Sequence, residues 1–124
     1  MSASRRVLVV DDNADAADSL AMLLQVRGDD VRVAYDGEQA LFAEQELKPD
    51  VLLLDIGMPK LSGYDVARRV RDARGGEVFI VAITGWGQEE DRQRAREAGF
   101  DHHFTKPVDY AKLLDLIDRA KPPS

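Results

Sequence analysis

The run Val51-Leu52-Leu53-Leu54-Asp55, followed by Ile56-Gly57-Met58-Pro59, is the most constrained part of the chain. Four consecutive apolar residues rich in Val and Leu predict a strand buried on both faces. A buried strand is a costly place for a carboxylate, yet this one ends on Asp55, with Gly and Pro just beyond to turn the chain. In a parallel α/β sheet, ligands bind outside the carboxyl ends of the strands. An Asp there can also do no more than cap a turn. Its meaning depends on what else reaches the same edge.

Working outward, Val7-Leu8-Val9-Val10 has the same apolar character and runs into Asp11-Asp12-Asn13. Ala17, Leu20, Ala21 and Leu24 then follow the spacing of an amphipathic helix, with Asp12 or Asn13 as its cap and Gly28 at its end. Val31 to Ala34 predicts a short strand closed by Asp36-Gly37. Ala40, Ala43 and Leu47 mark one face of a second helix that stops before Pro49. Beyond the central strand, Gly63, Val66, Ala67 and Val70 predict a third helix, ended by Arg74-Gly75-Gly76. Val78 to Ile83 is a fourth strand with Thr84-Gly85 at its end. Gln88 to Ala98 predicts a fourth helix, mostly charged and thinly anchored, with Gly99 as its stop. His102-His103-Phe104 is a fifth strand leading into Thr105-Lys106-Pro107. Tyr110, Leu113, Leu114 and Ile117 mark the last helix, and Lys121-Pro122-Pro123-Ser124 a tail.

Five strands thus alternate with five helices. Apolar strands, short connections and right-handed crossovers predict a doubly wound, flavodoxin-like α/β fold, a five-stranded parallel sheet of order 2-1-3-4-5. At 124 residues the chain is expected to form a single domain over 1–124, its core spanning about 6–120. No apolar run approaches the ~18 residues of a membrane span. The first six residues lead into only four apolar ones before Asp11, which is not the pattern of a signal peptide. With no cysteine there is neither a disulfide nor a thiolate metal site, and a cytoplasmic location fits. The formal net charge of −6 argues against direct nucleic-acid binding by this chain.

In the expected strand order, Asp11-Asp12, Asp55, Thr84 and Lys106 converge on one edge. Carboxylates ~5 Å apart at an effective dielectric of ~20 repel by about 3 kcal/mol per pair. No structural need explains that cost. A hard divalent cation relieves it, and Mg²⁺ takes one or two carboxylates together with waters and phosphate oxygens. Lys106 brings a compact positive charge suited to a phosphoryl group, and Thr84 a hydroxyl donor. These parts suit phosphoryl transfer, with Asp55 as a nucleophile able to form an acyl phosphate. Singly, each residue has an ordinary reading: a helix cap for Asp11 or Asp12, a strand end for Thr84, a solvated side chain for Lys106. Jointly, they place one functional group at each of four strand ends.

The sequence resembles the response-regulator receiver domains of two-component signalling over nearly its whole length. The likeness rests on Val9-Val10-Asp11-Asp12-Asn13, on Leu54-Asp55-Ile56-Gly57-Met58-Pro59 with Gly63 eight residues after Asp55, on Thr84-Gly85 and on Lys106-Pro107. Ala82 to Gln88 and Gly99 to Pro107 further resemble receivers attached to hybrid histidine kinases. The resemblance implies that Asp55 accepts a phosphoryl group from the phosphohistidine of a histidine kinase or phosphotransfer protein. It implies that Asp11, Asp12, Asp55 and the Gly57 backbone carbonyl hold Mg²⁺ (or Mn²⁺). Lys106 then pairs with phosphoryl oxygens, Thr84 moves to hydrogen-bond them, and the Lys106-Pro107 peptide is cis. Phosphorylation is expected to change the surface formed by the Gln88–Ala98 helix, the fifth strand and the last helix, in a monomer or a phosphorylation-linked dimer. Turnover is confined to self-catalysed phosphorylation and dephosphorylation, so the chain is not expected to be an enzyme on external substrates.

Three positions depart from the family pattern. His103 stands where receivers often carry a Tyr or Phe whose ring swings inward on activation. Gly57 and Trp86 stand where side chains tune hydrolysis of the acyl phosphate. Among rival readings, a nucleotide- or flavin-binding domain needs a Gly- or hydroxyl-rich first loop, and Asp11-Asp12-Asn13 repels phosphate unless a metal intervenes. An Asp-nucleophile phosphatase usually carries a second Asp two residues on as general acid, and that position is Gly57. A receiver that has lost phosphorylation and serves as a scaffold is the third alternative.

Overall fold

In the computed structural model, which describes residues 5–57, 62–85 and 98–119, the apolar runs become five short strands. They are β1 (Arg6–Val10), β2 (Asp30–Ala34), β3 (Val51–Asp55), β4 (Phe79–Thr84) and β5 (His102–Thr105). All pairings are parallel, and the order is β2-β1-β3-β4-β5, as expected from the sequence. Four helices are described: α1 (Ala14–Val26), α2 (Gly37–Leu47), α3 (Gly63–Arg74) and α4 (Tyr110–Arg119). The helix expected over Gln88–Ala98 lies outside the described residues except for its last position, where Ala98 is buried and Gly99 follows at φ +101°.

Because side chains alternate across a strand, the sheet divides the core into two layers. Leu8, Val10, Leu52, Leu54, Ile80 and Ala82 face α2 and α3, meeting Ala40, Ala43, Val66, Ala67 and Val70. Val7, Val9, Val51, Leu53, Val81 and Ile83 face α1 and α4, meeting Leu20, Leu24, Leu113 and Ile117. Every residue of β3 is buried, which explains its unbroken apolar run. The helix ends follow local chemistry. Asn13, not Asp12, caps α1, its side chain accepting from Ala16 N at 3.1 Å. Ser62 and Asp65 form a reciprocal capping box at the start of α3. Lys48 closes α2 in a left-handed conformation at φ 48°.

Several boundaries differ from the sequence reading: β2 begins one residue earlier, at Asp30, and β4 one later, at Phe79. Thr84 is the last residue of β4 rather than the residue after it, since it still pairs in register with Thr105. For the same reason β5 extends to Thr105. Gly75–Glu77 forms a single 3₁₀ turn where a simple stop is expected after α3. Arg71 organises that corner: its guanidinium donates to the carbonyls of Gly75, Val78 and Gly99 and pairs with Asp101 at 2.6 Å.

Candidate functional site

The carboxyl edge of the sheet collects the charged groups. β1 and β3 are neighbours, so their ends bring Asp11 and Asp55 together. Asp12 follows Asp11 and is exposed, while Asp11 and Asp55 are buried at 7% and 6% exposure. One carboxylate oxygen from each of Asp11, Asp12 and Asp55 lies within 4.8 Å of the other two. Backbone amides hold two of these groups in place. Asn13 N donates to Asp11 Oδ1 at 2.9 Å, and Gly57 N donates to Asp55 Oδ1 at 2.9 Å. Both are short Asx-type turns just after a strand, where the carboxylate accepts from the amide two residues on.

Lys106 reaches this cluster from the far side of β4. Its backbone N donates to the Thr84 carbonyl at 2.8 Å, and the peptide that follows it to Pro107 is cis. Its Nζ donates to Asp11 Oδ2 at 3.3 Å and lies 3.6 Å from Asp55 Oδ2. The two carboxylates hold the Lys106 ammonium above its ordinary pKa; burial opposes this and is outweighed. Asp55 is also pushed up, first by burial and then by Asp11; the Gly57 amide and Lys106 act the other way. Among the described residues, three carboxylates thus meet one lysine at the cluster.

Thr84 is almost fully buried, at 1% exposure. Its hydroxyl engages β5: Oγ1 lies 2.9 Å from His103 Nε2 and 3.4 Å from the Phe104 carbonyl oxygen. Gly63, at the first turn of α3, packs directly under the end of β3. A Cβ there would sit 2.5 Å from Ile56 Cα and 2.6 Å from the Asp55 carbonyl oxygen. Only a glycine lets α3 begin so close to the residue that carries the central carboxylate.

The family model described as "Response regulator receiver domain" matches residues 7–118. The chain belongs to the response-regulator receiver family. It is 38% identical over 114 residues to the "Uncharacterized 14.6 kDa protein in sodA1 3'region" of Leptolyngbya boryana, covering 91% of this chain and 87% of that one. It is 42% identical over 117 residues to the DNA-binding response regulator MtrA of Mycobacterium leprae, covering 94% of this chain and 50% of that protein. The receiver thus spans about half the length of several curated relatives it matches. Among solved structures it resembles a response regulator receiver protein from Pseudomonas putida, with a TM-score of 0.86 and 30% identity over 96% of this chain and 99% of that one. A CheY-like receiver from Methanospirillum hungatei gives a TM-score of 0.87 at 26% identity, over 94% and 93% of the two chains.

Receivers are phosphoacceptor signalling domains, and their acidic residues bind Mg²⁺. In this receiver the structure brings Asp11, Asp12, Asp55 and Lys106 into one cluster. It sets Thr84 and His103 in contact with each other on the β4–β5 side. Gly57 contributes its amide to Asp55. Met58, Pro59 and Trp86 lie outside the described residues. Sequence reasoning misses the Thr84–His103 contact, because it joins residues 19 positions apart through the register of two parallel strands. The alternation of β5 contains only a partial signal: His103 and His102 must face opposite ways. His102 instead meets the Phe104 ring, with centroids 5.1 Å apart.

Proposed function

We propose that this receiver is a phosphorylation-activated switch whose phosphoacceptor is Asp55. The observation that carries the proposal is the cluster itself. Three hard carboxylate donors lie within 4.8 Å of one another, and one ammonium bridges two of them. The donor set suits a small, hard divalent cation. Asp11, Asp12, Asp55 and the Gly57 carbonyl are the groups that would hold Mg²⁺ (or Mn²⁺). Bound there, the ion would neutralise carboxylate charge and the charge on incoming phosphoryl oxygens.

The residues then divide the work. An Asp55 carboxylate oxygen attacks phosphorus; the P–N bond of the donor phosphohistidine breaks, and the imidazole leaves with the bonding pair and takes up a proton. Lys106, kept charged by its neighbours, pairs with the transferred oxygens. Thr84 turns from β5 to donate to them. Hydrolysis of the acyl phosphate by water returns Asp55 and inorganic phosphate, so the domain catalyses only its own phosphorylation and dephosphorylation.

The donor in this reading is a histidine kinase or a histidine phosphotransfer protein. The acidic balance of the chain supports a protein target rather than DNA for the domain itself, and a phosphorylation-linked dimer is one form the output can take. The output surface is the 88–98 segment, β5 and α4. No described helix is long and apolar enough to cross a membrane. In this reading, residues 1–124 form one receiver domain acting in the cytoplasm.

Intact mass after incubation with Mg²⁺ and acetyl phosphate tests it. One phosphoryl adduct is expected on the wild type, lost with chelator and absent from Asp55→Asn. A folded wild type that takes no adduct from acetyl phosphate or from a phosphorylated histidine donor would overturn the reading and leave a scaffold role.

A further inference from the structure

We propose that His103 is a positioning residue that latches the Thr84 hydroxyl to β5 and so sets how strongly the site takes a phosphoryl group. The inference rests on the phosphoacceptor reading of Asp55. It concerns a contact that this chain makes through an imidazole nitrogen.

Thr84 Oγ1 has one proton to donate. It lies 2.9 Å from His103 Nε2 and 3.4 Å from the Phe104 carbonyl oxygen. Two assignments satisfy this geometry. In one, Nε2–H donates to Oγ1, and the hydroxyl donates to Phe104. In the other, the hydroxyl donates to an unprotonated Nε2. Both direct the Thr84 proton toward β5, so the latch does not depend on which ring nitrogen carries hydrogen.

Burial makes the latch matter. At 1% exposure, Thr84 cannot exchange its β5 partner for bulk water, and a buried hydroxyl left without a partner is costly. It leaves β5 only when another acceptor is offered, and a phosphoryl oxygen is a stronger, charge-assisted one. The latch therefore does not block phosphorylation. It lowers the fraction of molecules whose Thr84 is free to respond, and apparent affinity falls by that fraction. A phenylalanine ring at this position can couple to the threonine only through space filling. His103 adds a hydrogen bond that must break.

The test uses beryllofluoride with Mg²⁺ as the phosphoryl analogue, read through the chain's single tryptophan, Trp86. His103→Phe keeps a ring and removes both nitrogens; it is expected to bind beryllofluoride about two- to tenfold more tightly, the range set by one neutral hydrogen bond. His103→Gln retains a donor and an acceptor at similar reach and is expected to return binding to within about twofold of wild type. Mg²⁺ affinity without beryllofluoride should stay the same in all three, which separates a latch from general damage to the site. In the wild type, the His103 imidazole ¹⁵N shifts should move when beryllofluoride binds, a readout that needs no variant to fold.

Equal or weaker beryllofluoride binding by His103→Phe at unchanged Mg²⁺ affinity would overturn the latch alone. So would imidazole shifts that stay fixed as the wild type saturates. A wild type that binds Mg²⁺ but no beryllofluoride would overturn the phosphoacceptor reading, and the latch with it.

Discussion

Strands β3 and β5 deliver one charged group each to the same edge, and they are held in opposite ways. β3 lies in the middle of the sheet, paired with β1 and β4, and all five of its residues are buried. β5 is an edge strand of four residues, with both ends exposed and the middle pair half-buried. Asp55 thus sits at the end of a fully buried central strand, and Lys106 follows a partly exposed edge strand. A covalent acceptor gains from a fixed position, since reacting atoms need alignment. The groups that respond to the new charge must be able to move, and elements with few buried apolar contacts can do so at low cost. Thr84 belongs to both regions: it ends the buried strand β4, while its side chain is bonded to β5.

The sharpest way to break this comparison is to weaken β3. Leu53 is fully buried between α1 and α4, so Leu53→Ala should lower stability by about 2–5 kcal/mol in urea titrations. A loss below about 1 kcal/mol would mean that β3 is less constrained than its burial implies.

Next in size is Gly63→Ala. Helix propensity favours alanine by roughly 0.5–1 kcal/mol. Sterics should win, because the new Cβ meets backbone atoms at 2.5 and 2.6 Å rather than a movable side chain. A net loss of about 1–3 kcal/mol is expected. The end of β3 should shift with it, seen as slower adduct formation at Asp55. A variant as stable as wild type would show that α3 can back away from the strand freely.

A smaller effect tests the electrostatics of the fixed region. The folded pKa of Asp55 lies above its unfolded value, chiefly because of burial and then Asp11. As pH rises through the ordinary carboxylate range, the unfolded chain loses this proton first, and stability falls until the folded group has ionised too. Asp55→Asn should therefore raise the melting temperature of the metal-free protein at neutral pH. The gain should vanish below the ordinary carboxylate range, where both forms are neutral. Saturating Mg²⁺ should raise the wild-type melting temperature, and do so less in the variant. An Asn variant that melts lower at neutral pH would mean that the Lys106 contact outweighs burial and repulsion.

The smallest effect is expected on β5. His102 is exposed and lies beside the ring of Phe104, so His102→Ala should cost less than about 1 kcal/mol. A cost near that of Leu53→Ala would erase the distinction between the two strands.

Much of this was legible before any coordinates. The unbroken apolar runs at Val7–Val10 and Val51–Leu54 required burial on both faces, and that requirement selects a parallel sheet with helices on both sides. Strand order then placed Asp11, Asp12, Asp55 and Lys106 on one edge, because a parallel sheet exposes all its carboxyl ends together. Helix ends were harder, as at Asn13 and Asp12, where two adjacent residues could both cap and only backbone geometry chose one.

The primary sequence by itself determined the layering of the fold and the edge on which its polar groups gather, since both follow from local apolar pattern and chain connectivity. Only the tertiary structure decided which partners those groups take. That Lys106 bridges Asp11 and Asp55, that Gly63 must make room for Ile56, and that Thr84 is tied to His103 all depend on distances between segments far apart in the chain. Such distances arise from register, twist and packing of whole elements, and no local pattern of residues encodes them.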